Sequence, residues 1–274
     1  MMFKLGRKPP TYNPKMLHFA KYLNRSTVPI TVPLDVSVTA KGPLAFVNIA
    51  VMANGPDPLA PPQIAASGVG DCVFAAAVRR AALAGMSVGK QLWTSEQDMV
   101  NAALKAYAEC TGWDVNNSNA TDQGTDPTAA WKYLTATGLR CSDGSYDKIG
   151  AAISVNPKDI EEFLIAFNLS GGNISIGVHF PQAWESAPVW DDTTSPIVGG
   201  HEIPVFSDLK VGSNGSIVIN TWGGSRIMTA AALARFCDQA TAIISPSAVG
   251  PGKTSVSGFD AEQMAADIAA TQGA

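Results

Sequence analysis

SGVGDCVFAAAVRRAALAG, residues 67–85, sets a turn of small residues against a helix whose first turn carries a cysteine, Cys72. Asp71 stands where it can cap that helix, and Gly85 where it can end it. The residues after the cysteine, VFAAAV, are apolar and small, which predicts a buried helix with a rigidly held N-terminus. There the unpaired N–H groups and the helix dipole favour thiolate over thiol. The Asp71 carboxylate opposes this unless it is turned away as the cap. A single cysteine is more often packing than nucleophile. The rest of the chain has to decide between them.

A nucleophilic thiol needs a base, a group that orients the base, and an oxyanion site. The chain has three histidines. His18 lies in a proline-rich stretch and reads as solvated or packing, and His179 closes SIGVHF as a strand-end residue. His201 sits in VGGHEIPVF, where two glycines let other backbone approach closely just before a strand. Strand alternation puts Glu202 on the opposite face from His201, so the orienting group is sought on the next strand. That strand is SIVINTWGG, a hairpin away through the turn GSNG, and it supplies Asn220. A neutral amide there would fix the imidazole tautomer without adding charge. Trp222, two residues on, falls on the same side and would shield the bond from water.

The 274 residues are 46% hydrophobic and 15% charged with a net charge of -4, enough for one large domain or two small lobes. This mild, evenly spread charge gives no electrostatic footprint for nucleic acid. A basic cluster, Lys4, Arg7, Lys8, Lys15, Lys21 and Arg25, reads as a solvated N-terminal tail, with contact to an acidic partner as the sharper reading. No apolar run reaches the ~20 residues that span a bilayer, and the first residues lack the apolar block of a secretory signal. Four cysteines, Cys72, Cys110, Cys141 and Cys237, are too sparse for a disulfide scaffold and suit no zinc site. They predict reduced thiols made in a cytoplasm, the last three packed as core residues.

Prolines crowd residues 9–62, leaving a short helical piece in KMLHFAKYL and an edge strand in VPITVPLDVSVTA. From Cys72 to about Asn168 the signals are helical. SEQDMVNAALKAYAEC follows a Thr94 or Ser95 cap, and DPTAAWKYLTATG and NPKDIEEFLIAF each begin with a cap and a proline. After Gly172 the period changes to strands in NISIGVHF, HEIPVFSDL, SIVINTWG and TAIISP, with a helix in TAAALARFCDQ. A linker and a last helix, DAEQMAADIAA, follow. Helices first and strands second predict an α+β fold. SAVGPGKTS fails as a phosphate loop because Ser247 stands where the first glycine is needed. The acidic pair Asp191 and Asp192 reads as a solvated loop, with a cation or basic substrate group as the alternative.

A cysteine opening a helix, then Gly-Gly-His before a strand, then Asn-Thr-Trp-Gly on the next strand resembles the papain-like cysteine peptidases over roughly residues 67–245. The chain is still more similar to papain-like proteins of bacteriophages and prophages, through FKLGRKPPTYNPKMLHFAKYL, VGDCVFAAA and GKTSVSGFD. The resemblance implies a two-lobe fold: an extended arm and loop over 1–66, a helical lobe over 67–170, an antiparallel β lobe over 171–247, and a linker and helix over 248–274. It implies Cys72 as nucleophile, His201 as base and Asn220 as its orienting group, acting on a peptide or protein substrate without cofactor or metal. Synthesis in a bacterial host cytoplasm, virion association, and capsid or tail partners held through the arm are further implications. One position departs from the pattern. Six residues before the cysteine the family carries Gln, and the phage relatives often Asn, whose amide donates to the oxyanion; here stands Ala66. Either Gln63 or Ser67 substitutes through a different path of the loop NGPDPLAPPQIAAS, or catalysis is weak or gone, since one missing donor costs ~10²–10³ in rate. Two readings stay open: a cysteine peptidase or amide hydrolase, and a catalytically inactive virion structural protein. A peptidoglycan amidase or endopeptidase of another Cys-His class fits NTWG less well.

Overall fold

The computed structural model describes residues 5–24, 68–87, 90–170, 172–205, 216–221, 224–244 and 260–272. In chain order the elements are β1 (Leu17–His18), α1 (Cys72–Ser87), α2 (Glu96–Thr111), α3 (Pro127–Ala136), β2 (Leu139–Arg140), β3 (Tyr146–Asp147), β4 (Ala151–Val155) and α4 (Ile160–Leu169). They continue with β5 (Ile174–Pro181), β6 (Val189–Trp190), β7 (Ile197–Pro204), β8 (Ile217–Thr221), β9 (Gly224–Met228), α5 (Ala230–Phe236), β10 (Cys237–Ile244) and α6 (Ala261–Gln272). Helices and antiparallel sheet are both present, as an α+β fold requires. No described helix is long and apolar enough to cross a membrane. The strand read over VPITVPLDVSVTA, the hairpin turn GSNG and the linker after Ile244 lie outside the described residues.

Capping explains where the helices begin. Ser95 accepts from the Asp98 N–H to start α2, and Gly112, at φ 77°, ends it. Asp126 accepts from the Thr128 N–H with Pro127 at the first helical position of α3. Several boundaries differ from the sequence reading: β7 begins at Ile197 with Gly199 and Gly200 inside it, and β10 begins at Cys237, within the stretch read as helix. Asn156 spends its side chain on a local turn to the Lys158 N–H, so Asp159, accepting from Glu162, caps α4 and the helix starts three residues after Pro157. α1 runs past Gly85 to Ser87, and the Gly85 carbonyl instead accepts the Lys90 N–H at 2.8 Å as the chain turns back. KMLHFAKYL also resolves differently: Leu17–His18 is strand and only Phe19–Tyr22 is a 3₁₀ turn.

The main sheet has the order β1-β4-β10-β5-β7, with β4 and β1 contributed by stretches that read as helical. One of its faces is apolar. Ile174, Ile176, Val178 and Phe180 of β5 join Ile153 and Val155 of β4, Ala240 and Ala242 of β10 and Ile203 of β7 in one hydrophobic cluster. A second cluster is built by α1, α2 and α3, where the small residues of α1 admit Phe74, Tyr107 and Trp131. The other face of the sheet meets α1 and is polar: Ser175, Glu202 and Thr241 are buried there, and Arg80 of α1 donates to Asn173 at 2.8 Å. Opposite, Lys21 and Tyr22 bind Asp267, which fastens α6 to the N-terminal segment.

The sheet cluster is closed by aromatic stacking. Trp184 and Trp190 stack with ring centroids 4.7 Å apart, Phe180 meets both edge-on, and each indole N–H donates to a backbone carbonyl at 3.0 Å. Asp191 and Asp192, read as a solvated pair, hold this corner to α5 through Thr229 and Arg235. Trp184→Ala empties a fully buried site and is expected to cost about 3–5 kcal/mol, measurable as a lower urea midpoint with an unchanged slope.

Candidate functional site

The N-terminus of α1 is presented to the edge strand β7. Cys72 is the first residue of α1 and only 1% exposed. The backbone at Glu202, the residue after His201, and at Gly6 acts to lower the Cys72 thiol pKa. Burial nevertheless outweighs that effect, and the nearby Glu202 and Asp71 carboxylates act with burial, so the thiol pKa is pushed up to about 12. The lowering expected from the helix start alone is overridden. The carboxylate of Asp71 is itself fully buried, and its carbonyl accepts from Phe74 and Ala75.

His201 is 1% exposed and lies edge-on to Phe180 at 5.8 Å. Its Nε2 shares a 2.7 Å hydrogen bond with the Thr221 hydroxyl. Burial, aided by the positive charge of Arg7, lowers its pKa to about 3. Both groups of the expected thiol–imidazole pair are therefore neutral at ordinary pH in this form. Asn220 occupies β8 in register with Ser225. Its neighbour Thr221 is the hydroxyl that meets the ring. Gln63, Ala66, Ser67 and Trp222 lie outside the described residues. Of the remaining cysteines, Cys141 and Cys237 are buried, and Cys110 is half-buried against the helical cluster. His179 stands at 3.4 Å from Asp238.

The residues that sequence reading missed lie in the N-terminal segment. Arg7, read as part of a solvated basic tail, is 6% exposed. Residues 6–8 run between the two clusters as an added strand. The Thr125 N–H donates to the Gly6 carbonyl at 2.6 Å, and the Lys8 N–H to the Thr125 carbonyl at 2.8 Å. On the other side the Arg7 N–H donates to the carbonyl of Gly200 at 3.1 Å. A side chain at Gly6 would fall 1.8 Å from the Gly70 carbonyl oxygen, and one at Gly200 would fall 2.5 Å from the Arg7 carbonyl oxygen. The glycines of VGGHEI do permit a close backbone approach, and the backbone that approaches is the chain's own N-terminal segment.

Comparison with known proteins follows this geometry. No protein-family model matches the chain, and no curated protein sequence matches it. Among solved structures, xylellain, a cysteine protease from Xylella fastidiosa, is similar with a TM-score of 0.57 at 13% identity, over 88% of this chain and 96% of that one. The Carica candamarcensis cysteine protease CMS1MS2 gives 0.44 at 15% identity, over 65% and 90% of the two chains. ProCathepsin B S9 from Trypanosoma congolense gives 0.45 at 12%, over 82% and 80%. The fold of this chain is that of the papain-like cysteine proteases.

The buried imidazole has a pH signature. A folded pKa below the unfolded value of about 6.5 means that the unfolded chain takes up the proton first. The His201 contribution is therefore fully present above about 6.5 and is lost as pH falls toward about 3. His201→Gln is expected to flatten the decline in urea midpoint between about pH 6.5 and about pH 4 relative to the parent chain.

Proposed function

We propose that the chain is a papain-like cysteine peptidase or amide hydrolase of the phage type, held latent by its own residues 5–8. The observation that carries this reading is the path of Gly6 and Arg7, main chain on both sides, across the start of the Cys72 helix and the strand bearing His201. It keeps the division into an arm (1–66), a helical lobe (67–170), a β lobe (171–247) and a C-terminal linker and helix (248–274), with β4 as an excursion of the helical part into the sheet. The cleft is then the seam between the lobes, and the N-terminal segment fills it.

In the open form, withdrawal of the segment returns water to Cys72 and His201 and removes the positive charge of Arg7 from the imidazole. Both changes favour the ionised pair. Cys72 Sγ attacks the carbonyl carbon of the scissile amide while His201 holds the thiol proton. The Cys72 backbone N–H donates to the oxyanion, with Gln63 or Ser67 as the second donor. His201 passes the proton to the leaving amine, and water hydrolyses the thioester. Thr221, whose hydroxyl meets Nε2, orients the ring, in the role the sequence reading gave to its neighbour Asn220 with Trp222 as shield.

A second reading, a papain-like virion component without catalysis, is favoured by the neutral, buried state of Cys72 and His201. Capsid or tail partners and a place of synthesis in a bacterial host belong to either version through the phage resemblance. Thiol mapping separates the two. In the full chain carrying Arg7→Ala, iodoacetamide is expected to alkylate Cys72 at least about tenfold faster than in the parent at neutral pH. His201→Ala should cancel that gain. An unlabelled Cys72 in the Arg7→Ala chain, with hydrolysis of casein absent, would transfer support to the structural reading.

A further inference from the structure

The side chain of Arg7 ends in a socket that three strands build in one row. Gly177 of β5 is paired with Glu202 of β7 on one side and with Gln239 of β10 on the other, so their Cβ positions share the polar face of the sheet. The register shift between Cys237 and Gln239 lets the intervening Asp238 also turn toward the socket. Arg7 Nε lies 3.1 Å from Glu202 Oε2. One terminal nitrogen lies 2.8 Å from Asp238 Oδ1 and 3.0 Å from Gln239 Oε1, and the other donates to Asp238 Oδ2 at 3.2 Å. Asp238 thus grips the end of the fork with both oxygens, while Glu202 lies against its inner nitrogen as an ion pair without a hydrogen bond. A Cβ at Gly177 would lie 2.2–2.4 Å from the guanidinium atoms, so the missing side chain is the space in which the group lies.

This arrangement discriminates by shape as well as by charge. An ammonium is a point cation on a flexible stem and cannot reproduce the paired contacts of two terminal nitrogens with Asp238 and Gln239 while its charge also lies against Glu202. The Glu202 side chain is fully buried and hydrogen-bonds Ser175 at 2.6 Å. Without its guanidinium it would be left a buried carboxylate short of a cation, which is strongly unfavourable. The socket therefore retains its demand for a guanidinium when the segment leaves. It also adjoins the start of the Cys72 helix and the strand of His201, because Gly6 packs on Gly70 and the Arg7 N–H donates to the Gly200 carbonyl.

We propose that the Glu202–Asp238–Gln239 socket over Gly177 is an arginine subsite, which receives an arginine side chain from a separate peptide after Arg7 withdraws. This rests on the reading of the seam as a substrate cleft, and it makes Gly6-Arg7 an internal imitation of the ligand. The substrate class is peptides that carry arginine beside the reacting position, preceded by glycine, since the seam at Gly6 admits no side chain.

The test uses the full chain with Arg7→Ala and Cys72→Ala, so that binding is read without catalysis. An acetylated peptide of residues 5–10, LGRKPP, is titrated by calorimetry beside versions with lysine or citrulline in place of arginine. The arginine peptide is expected to bind at least roughly tenfold more tightly than either, and Asp238→Asn should erase the difference. As a second measurement, methylguanidinium should raise the melting temperature of the Arg7→Ala chain, whereas methylammonium should not, and neither should shift the parent. Equal binding of the three peptides overturns the proposal. So does rescue by methylguanidinium without peptide binding, which would reserve the socket for the chain's own Arg7. Because Cys72 is absent from the binding assay, these outcomes are independent of whether the alkylation experiment supports catalysis.

Discussion

The buried guanidinium of Arg7 is the constraint on which the arrangement of the site depends. A cation with a side chain 1% exposed must find its full complement of acceptors inside the protein. Burial alone would lower its pKa, yet the Glu202 and Asp238 carboxylates outweigh that and hold it firmly charged. The same group discourages a second positive charge on His201. Removing one member of such a set typically costs more than the set as a whole contributes, because it strands the charges that remain. The glycine at 177 makes room for this one side chain, and the neutral state of the imidazole, set first by burial, is reinforced by its charge.

Much of this architecture could be read from the chain. Caps at Ser95 and Asp126 announced two helices, and alternation gave β5 and β8 close to their observed positions, whereas β7, read from His201, begins at Ile197. The pattern also separated Glu202 from His201: Glu202 turns to Arg7 and Ser175, whereas the His201 ring meets Phe180 and Thr221. Long-range pairing was not legible. β1 and β4 are strands only because β4 lines up between β1 and β10, and no local signal in AAISV or LH carries that information. Arg7 was misread for the same reason. In sequence it is one of several basic residues near prolines, and its carboxylate at position 238 is 231 residues away. The one available clue was the pair of glycines before His201, which asks for close backbone without saying whose.

The chemistry of Cys72 illustrates how position and environment compete. Its place at a helix start, with the backbone at Gly6 and Glu202, favours the thiolate; exclusion of water opposes it more strongly. Neutral thiol and neutral imidazole are mutually consistent in a dry site, since neither carries a charge the other must balance. A peptide segment that both fills the seam and brings its own cation would thus act on geometry and on ionisation together.

The hydrogen bonds of residues 6–8 join the chain near its beginning to Thr125, Gly200 and Asp238. During synthesis residues 6–8 leave the ribosome before Thr125, Gly200 and Asp238 exist. Docking of residues 6–8 therefore waits on partners made much later, and it is a contact of very long sequence separation, the kind that forms slowly. For that interval the helix bearing Cys72 and the strand bearing His201 would lack their cover. The latency proposed for this protein would thus be acquired late in folding, with a time window set by loop closure.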